Sequence, residues 1–393
     1  ERGMPAPSPA VLDWLTRLVA LDTTSRDSNL PLVELVAEHA RSLGLEPRLF
    51  PTEDGTKANL VVTVPAADGS TDGGIMLSGH SDVVPVDGQA WSSDPFTLVE
   101  RDGKVFGRGT ADMKGFDAVV VAALGTLAAT PLREPVHLAL SHDEEVGCLG
   151  AQPLVDALGS VGLAPRVCFV GEPTSMRMIR GHKSINLVTV TVKGVAAHSS
   201  LTADGVNAIE HAASIVRYWR GRSDAWCTEG PFDEAYPLAY STGSVNLISG
   251  GNGVNIIPAE CSVTLEFRSI GTPEEDRAEM DALVAFCREV EAAMQAEDPA
   301  ASVEVGTPTM TAGLDTPADD PAVLLGQELG LAVQHDKVTY GTEAGIYANA
   351  GISTVVCGPG DIAQAHKPDE FIDLAQLAEC EAFIGRLVDH LRA

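Results

Sequence analysis

The chain has 393 residues, which is enough for two or more domains with cores of their own. Its formal net charge of −29 excludes a nucleic-acid polyanion as the default partner, because phosphate binding requires a basic surface. The same charge argues against anionic membrane surfaces, and its simplest explanation is solubility. The seven cysteines are dispersed without a Cys-x-x-Cys pair, which is typical of a reducing compartment.

The N-terminal region shows no secretory signal. Its first apolar segment, residues 11–20, is interrupted by Asp13 and Arg17 and therefore predicts an amphipathic helix. No apolar run approaches membrane-spanning length. We interpret residues 1–3 as a cloning remnant and Met4 as the natural start. These features together predict a cytoplasmic protein that binds neither nucleic acid nor membrane.

Helical and extended patterns alternate in the first half of the chain and return near its end. Amphipathic periodicity predicts helices over residues 9–22 and 30–43. Apolar segments predict strands over residues 45–50, 59–64, 75–78, 136–140, 167–170 and 353–357. Continuous apolar strands that alternate with helices are typical of a buried, largely parallel sheet. We therefore predict a mixed α/β domain.

Short polar segments follow four of these apolar strands. They are Gly-His-Ser-Asp at 79–82, Ser-His-Asp-Glu-Glu at 141–145, Gly-Glu at 171–172, and the loop that leads to His366. A further polar segment, residues 107–115, lies between an extended stretch and a helix predicted over 113–126. Ligands of parallel sheets bind at the carboxyl ends of the strands. We therefore expect one site at this edge, with Asp112 at its centre.

From about Lys183 the pattern changes to that of a second domain. Residues 185–193 alternate in polarity, which predicts a half-exposed antiparallel strand. The elements that follow are a helix over 204–220 with Asp204 as N-cap, strands over 244–248 and 260–268, a helix over 273–297 and a strand over 302–305. This β-α-β-β-α-β order predicts a ferredoxin-like α+β module at 184–309, inserted into a catalytic domain of residues 1–183 and 310–393.

The polar segments supply the ligands that two metal ions would need: His80, Asp112, Glu145, Glu172 and His366. Two ions about 3.5–4 Å apart share a bridging ligand, a role that a carboxylate can fill and an imidazole normally cannot. Asp112 is the candidate bridge. Glu144 remains unligated and could take a proton from water, and Asp82 could accept the second N–H of His80.

Each of these residues also has an ordinary structural explanation. A single His at a strand end is more often structural than a ligand. Asp-Glu-Glu at 143–145 could be a solvated turn, Glu172-Pro173 could mark the start of a helix, and Asp112 could cap the helix that follows it. The joint placement of these residues after apolar strands favours the metal site.

Other catalytic patterns are weak or absent in the sequence. There is neither a Gly-x-Ser-x-Gly elbow nor a Gly-x-x-x-x-Gly-Lys phosphate loop. Gly358-Pro-Gly360 with Ala363 matches the loose dinucleotide-binding pattern. Pro359 lies within that loop, however, and Pro368 leaves little room for the helix that the pattern requires.

These motifs resemble those of the M20 family of co-catalytic zinc amidohydrolases, in the family's order. The matching segments are Gly79-His-Ser-Asp-Val-Val84, Gly107-Arg-Gly-Thr-Ala-Asp-Met-Lys-Gly115, Asp143-Glu-Glu145 and Gly171-Glu-Pro-Thr174. Within the family, the acetylornithine deacetylase branch is the most similar. Its matching segments are Met113-Lys-Gly-Phe116, Gly171-Glu-Pro-Thr-Ser175 and Arg180-Gly-His-Lys183.

The resemblance implies a role for each matched residue. One zinc ion would be held by His80, Asp112 and Glu172, and a second by Asp112, Glu145 and His366. Glu144 would be the general base and acid, and a cis peptide bond would follow Asp112. The implied cofactor is two Zn²⁺ per subunit, and Co²⁺ or Mn²⁺ would also suit these ligands.

The inserted domain resembles the family's lid and dimerisation domain. In Ala197-His-Ser-Ser200, His198 would complete the partner's active site and polarise the scissile carbonyl. Asn255, Arg268 and the loop that begins at Gly358 match positions that hold the substrate carboxylate. For Arg268, a plain surface role is the open alternative.

The resemblance implies metal-dependent removal of the acetyl group from N2-acetyl-L-ornithine, a reaction of arginine biosynthesis that yields ornithine and acetate. Succinyl-diaminopimelate desuccinylase, or another M20 N-acyl-amino-acid deacylase or peptidase, would share every metal ligand. The non-enzyme alternative is an inactive metal-binding homologue, against which the presence of Glu144 argues. We expect a small N-acyl amino acid as substrate and a homodimer formed through the lid domain.

Overall fold

The computed structural model describes residues 5–393, so our interpretation of residues 1–3 and Met4 lies outside the described residues. The helices are α1 (Pro9–Val19), α2 (Leu30–Ser42), α3 (Lys114–Ala129), α4 (Ala151–Ser160), α5 (Ala208–Glu229), α6 (Pro273–Glu297), α7 (Pro321–Glu328), α8 (Ala344–Asn349) and α9 (Leu374–Leu391). Within this described part of the chain, no helix is both long and apolar enough to cross a membrane.

The strands lie between these helices along the whole chain. They are β1 (Pro47–Pro51), β2 (Ala58–Val64), β3 (Ile75–His80), β4 (Val99–Arg101), β5 (Lys104–Phe106), β6 (Val136–Ser141), β7 (Val167–Val170), β8 (Arg177–Met178), β9 (Gly181–His182), β10 (Ile185–Lys193), β11 (Thr242–Gly250), β12 (Glu260–Arg268), β13 (Ser302–Val305), β14 (Thr309–Thr311), β15 (Leu314–Asp315), β16 (Ala332–Val333), β17 (Ser353–Val356) and β18 (Phe371–Asp373).

The chain folds into two compact units, each with a buried apolar core. The first unit runs to Gly181 and resumes over Leu314–His335 and Thr342–Ala393. The second comprises His182–Gly313 and Asp336–Gly341. The predicted role of the inserted segment as a lid or dimerisation domain stays a prediction.

The first unit is built on a six-stranded sheet in the order β1-β2-β6-β3-β7-β17. The four strands from β6 to β17 are parallel, whereas β2 is antiparallel to both β1 and β6. Every residue of β3, β6 and β7 is buried, as expected for apolar strands covered on both faces. Helix α3 packs against this sheet and is itself covered by α1 and α9. The predicted mixed, largely parallel α/β class is confirmed.

The second unit is an antiparallel sheet in the order β11-β12-β10-β13, with β14 also paired to β10. Burial alternates along β10 and β12, so one face packs against α5 and α6. Val190 and Val263 are buried on that face, whereas the hydroxyls of Thr189 and Thr264 meet at 2.9 Å on the exposed face. The predicted half-exposed strand at 185–193 and the β-α-β-β-α-β order are both confirmed.

The predicted start of α5 is wrong, and that of α6 is right. α5 begins at Ala208 and not at Asp204, because Asn207 is the residue whose side chain accepts the first free helix N–H groups. Asp204 lies in a short 3-10 turn before it. α6 begins at Pro273 as predicted, after a reciprocal capping box between Thr272 and Glu275.

Candidate metal centre

Three adjacent parallel strands of the first unit end at one edge of its sheet. β3 ends at His80, β6 ends at Ser141 directly before residues 142–145, and β7 ends at Val170, two residues before Glu172. Because the carboxyl ends of parallel strands meet at the same edge, these polar segments lie next to one another.

Asp112 lies between two histidines. Its Oδ1 is 3.0 Å from Nε2 of His80, and its Oδ2 is 3.2 Å from Nε2 of His366. Each carboxylate oxygen therefore faces a different imidazole, which is the arrangement that a ligand shared by two ions requires. The peptide bond between Asp112 and Met113 is cis.

Two groups of side chains each bring three potential ligand atoms within 4.8 Å of one another. The first group is His80, Asp112 and Glu172, and the second is Asp112, Glu145 and His366. In the first group, His80 Nε2 is 3.5 Å from Glu172 Oε1. In the second, His366 Nε2 is 3.0 Å from Glu145 Oε2. The structure thus brings all the predicted ligands together, in two sets that share Asp112.

The two groups differ in exposure. The side chain of His80 is 1% exposed, whereas that of His366 is 53% exposed. Asp112, Glu145 and Glu172 are each at most 6% exposed at the side chain. The second group therefore opens to solvent through His366.

Burial and neighbouring carboxylates disfavour the ionised form of two acids of the centre. Burial, together with the carboxylates of Asp112 and Glu144, raises the pKa of Glu172 well above its ordinary value. Burial and Asp112 also raise the pKa of Glu145 to about 7. Moreover, Glu145 Oε1 is buried and has no hydrogen-bond partner within the described residues. Divalent cations would neutralise this charge and use the free oxygen, so the donor set fits a two-metal centre.

Asp112 differs from the other acids of the centre. Burial opposes its negative charge, but the hydrogen bonds with His366 and His80 outweigh that effect and hold its pKa below its ordinary value. Asp112 is therefore the acid of the centre best suited to remain ionised between two cations.

Glu144 lies beside both groups and belongs to neither. Its Oε2 is 3.9 Å from His80 Nε2, and its Oε1 is 3.5 Å from the thiol of Cys148. Burial, reinforced by Glu145, raises its pKa well above the ordinary value. A carboxyl group with a raised pKa is suited to accept and return a proton near neutral pH.

Asp82 lies against the second ring nitrogen of His80, for which the sequence predicted it as an acceptor. The Nδ1 of His80 is 2.9 Å from the main-chain oxygen of Asp82 and 3.5 Å from its carboxylate. The carboxylate also accepts the main-chain N–H groups of Glu144 at 3.0 Å and Glu145 at 3.3 Å, and the hydroxyl of Ser25 at 2.5 Å. Asp82 thus holds both the imidazole and the acidic turn in place.

The predicted catalytic residue His198 and two of the predicted substrate-binding residues belong to the second unit. His198 is exposed. Asn255 is also exposed, and its main-chain oxygen accepts the N–H of Ser199 at 3.0 Å. Arg268 donates to Oε1 of Glu266 at 2.5 Å, so its charge already has a carboxylate partner. This contact matches the surface role, and the predicted substrate role of Arg268 stays a prediction.

Gly358, the third predicted substrate-binding residue, lies two residues after β17 in the first unit. A Cβ at this position would lie 2.0 Å from the carbonyl oxygen of Gly171, so only glycine fits. Its own carbonyl accepts the N–H of Thr174 at 3.1 Å and of Met176 at 2.9 Å. Gly358 therefore supports the segment that carries Glu172.

Two charged residues that hold the loops of the site were not predicted from the sequence. Lys57 donates to the carboxylate of Asp143, which belongs to the acidic turn. Glu370 accepts the main-chain N–H of Asp112 at 3.0 Å. Glu370 follows the predicted ligand His366 by four residues, and this proximity in sequence could have indicated a role at the site. No comparable signal in the sequence points to Lys57, since it is distant in sequence from the turn that it contacts.

A match to a known protein family shows the class of protein to which this chain belongs. Residues 76–390 match peptidase family M20/M25/M40. The chain belongs to the M20 family. This M20 chain is accordingly a hydrolase of amide bonds, as the sequence motifs predicted.

Curated relatives of the M20 chain align over nearly its whole length. The acetylornithine deacetylase of Myxococcus xanthus is 34% identical over 386 residues, which cover 97% of this chain and 97% of that protein. The acetylornithine deacetylase of Proteus mirabilis is 33% identical over 372 residues, or 94% of this chain and 92% of that protein. The predicted similarity to this branch is confirmed.

Solved structures share the fold of the M20 chain. A tripeptidase of Staphylococcus aureus superimposes with a TM-score of 0.74 at 20% identity, covering 98% of this chain and 99% of that one. A dinuclear metal-binding M20 peptidase of Bacillus subtilis superimposes with a TM-score of 0.67 at 14% identity, covering 97% of each chain. At these identities the likeness concerns the fold alone.

Proposed function

We propose that this M20 hydrolase removes the acetyl group from N2-acetyl-L-ornithine and releases ornithine and acetate, as a step of arginine biosynthesis. The observation that carries the reaction class is the carboxylate of Asp112, with one oxygen facing His80 and the other facing His366. The choice of substrate is supported by the near full-length similarity to relatives named acetylornithine deacetylase.

The centre would hold two metal ions. The ligands of the first would be His80, Asp112 and Glu172, and those of the second Asp112, Glu145 and His366. Zn²⁺ is our proposed ion, and Co²⁺ or Mn²⁺ would suit the same imidazole and carboxylate ligands. When bound, the two ions would polarise the amide carbonyl and lower the pKa of water towards neutrality.

Glu144 would carry the proton through the reaction. Its carboxylate would accept a proton from the attacking water and donate it to the nitrogen of the leaving amine. Its place beside both ligand groups, and its main-chain bond to Asp82, support this role. Asp82 would thereby orient the proton carrier and His80 together.

Residues of the second unit would complete the site in a homodimer. His198 would donate a hydrogen bond to the acyl oxygen in the partner's site, where developing negative charge needs stabilisation. Asn255, Arg268 and the loop of Gly358 would hold the substrate carboxylate. To do so, the guanidinium of Arg268 would have to release the carboxylate of Glu266 or bind the substrate carboxylate and Glu266 at the same time.

The dimer would form along β11 of the second unit. β11 is an edge strand of its sheet, and Leu247 and Ile248 on it are 68% and 58% exposed. An exposed apolar edge strand is a surface on which a second strand can pair. Val254, which follows β11, is also fully exposed.

Steady-state hydrolysis by the zinc-loaded protein tests this function. The substrates are N2-acetyl-ornithine, N-succinyl-diaminopimelate and an uncharged N-acetyl amino acid, each with and without chelator. We expect a chelator-sensitive preference for acetyl-ornithine of at least about tenfold in kcat/KM, or about 1.4 kcal/mol. Preference for the succinyl substrate would keep the reaction class and refute the substrate. No hydrolysis of any of them with metal bound would refute the function.

A further inference from the structure

The buried carboxylate of Glu370 accepts four hydrogen bonds from the loop that carries Asp112. Oε1 accepts two main-chain N–H groups, and Oε2 accepts one main-chain N–H and one guanidinium N–H. The donors are Ala111 and Asp112 at 3.0 Å, Gly109 at 3.1 Å and Nη1 of Arg108 at 2.8 Å. This acid therefore determines the path of the main chain immediately before the bridging ligand.

Arg108 extends the same network to the segment that carries His366. Its guanidinium donates to the main-chain oxygen of Lys367 at 3.2 Å and to Oε1 of Gln89 at 2.5 Å. Gln89 in turn donates to the main-chain oxygen of His366 at 3.0 Å. The side chains of Arg108 and Glu370 are each 1% exposed, so this ion pair is shielded from solvent.

The two ligand groups are consequently supported in different ways. In the first group, His80 ends β3 and Glu172 follows β7, so the hydrogen-bonded sheet holds both. In the second group, His366 lies outside any strand. Side-chain hydrogen bonds of Arg108 and Gln89 join its segment to the loop of Asp112, in addition to the main-chain pairing of β5 with β18. Asp112 belongs to both groups, but only the second also contains His366, so a change in that network should affect the second group more than the first.

We infer that Glu370 is a positioning residue that sets the affinity of the second metal position, formed by Asp112, Glu145 and His366, separately from that of the first. The inference rests on the proposed two-metal function. It adds which residue sets the metal affinity of one of the two positions. Groups that orient metal ligands commonly contribute about 10- to 100-fold in metal affinity.

Glu370→Gln tests the inference with little change in volume. The amide has one acceptor oxygen and an NH₂ group, so it cannot accept from all four donors. It also leaves the guanidinium of Arg108 buried without its carboxylate. The connection between the loops of Asp112 and His366 should weaken, whereas the strand pairing around His80 and Glu172 is unchanged.

The measurement is competition titration of Zn²⁺ into the full-length, metal-free protein against a chromophoric chelator. For Glu370→Gln we expect the Kd of the second ion to rise at least about tenfold, or about 1.4 kcal/mol, and that of the first to stay within about threefold. The matched control is Glu381→Gln on α9, which removes an acid that accepts the N–H of Ser8 at 2.7 Å. It should bind both ions with wild-type affinity.

A purely structural role for Glu370 would weaken both ions equally, and that result, or unchanged affinity for both, would overturn the inference. If Glu370→Gln does not fold, as judged by thermal unfolding of the metal-free protein, Gln89→Ala replaces it. That variant removes only the outer part of the network and should weaken binding of the second ion selectively, by a smaller factor.

A wild-type protein that binds fewer than two ions would refute the proposed function and this inference with it. If the wild type and Glu370→Gln both bind two ions, and each ion binds the two proteins with the same affinity, only this inference is refuted.

Discussion

The sheets of the two units use polar residues in opposite ways. In the first unit β3, β6 and β7 are buried along their whole length, so charged side chains are placed just beyond the strand ends. In the second unit the strands alternate, and polar residues such as Thr189 and Glu266 occur within them as an ordinary exposed face. A charged residue after a fully buried strand is therefore a stronger indication of chemistry than one within an alternating strand. The contact of Arg268 with Glu266, two residues away on the same strand, illustrates the weaker case.

The comparison is tested most strongly by Glu144→Gln in the first unit. This change removes the proposed proton carrier and leaves both ligand groups intact, so kcat should fall about 10²- to 10⁴-fold with two ions still bound. Turnover and metal content are measured on the same preparation. The control is Glu38→Gln on the exposed face of α2, which should keep wild-type turnover. Wild-type rates in Glu144→Gln would remove Glu144 from the mechanism.

His198→Ala asks whether the second unit contributes chemistry as well as structure. Loss of a hydrogen bond to the acyl oxygen should lower kcat about 10²-fold without loss of metal. Mixing this variant with Glu144→Gln should restore part of the activity, because a mixed dimer would contain one complete site. His211→Ala, on α5 of the same unit, is the control and should keep wild-type activity. Mixtures that stay inactive would show that each subunit uses its own His198.

Leu247→Asp tests the apolar edge of the second unit. A charge on β11 should oppose strand pairing and raise the dimer Kd at least about tenfold, or about 1.4 kcal/mol, in sedimentation equilibrium. The matched variant is Leu324→Asp, because Leu324 is 52% exposed on α7 of the first unit. It should sediment like the wild type. Equal behaviour of the two variants would place the dimer contact elsewhere.

The smallest expected effect separates the stability of the second unit from the chemistry of the first. Thr272→Ala removes one half of the capping box of α6 and should lower the free energy of unfolding by about 1 kcal/mol. Because α6 belongs to the second unit, metal affinity should be unchanged. Urea unfolding and Zn²⁺ titration measure the two quantities. Weaker metal binding in Thr272→Ala would show that the two units are coupled.

Local sequence was sufficient where it offered a single candidate for the feature. The start of α6 was predicted from Pro273, and the structure adds a capping box between Thr272 and Glu275 within the same turn. The start of α5 was not, because Asp204 and Asn207 are both good N-cap residues three positions apart, and the chain uses the second. His80 and Glu172 were found because each comes directly after an apolar strand of the central sheet.

The sequence by itself thus determined the class of fold, the family and the residues that could bind metal, since these depend on periodicity and on motifs within short segments. Tertiary structure decided how those residues are held. The carboxylate of Asp82 binds the acidic turn and also lies 3.5 Å from the imidazole of His80, Lys57 contacts Asp143, and Glu370 fixes the loop of Asp112. These hydrogen bonds join residues that are distant in sequence, and only the packing of the strands and loops brings donor and acceptor together.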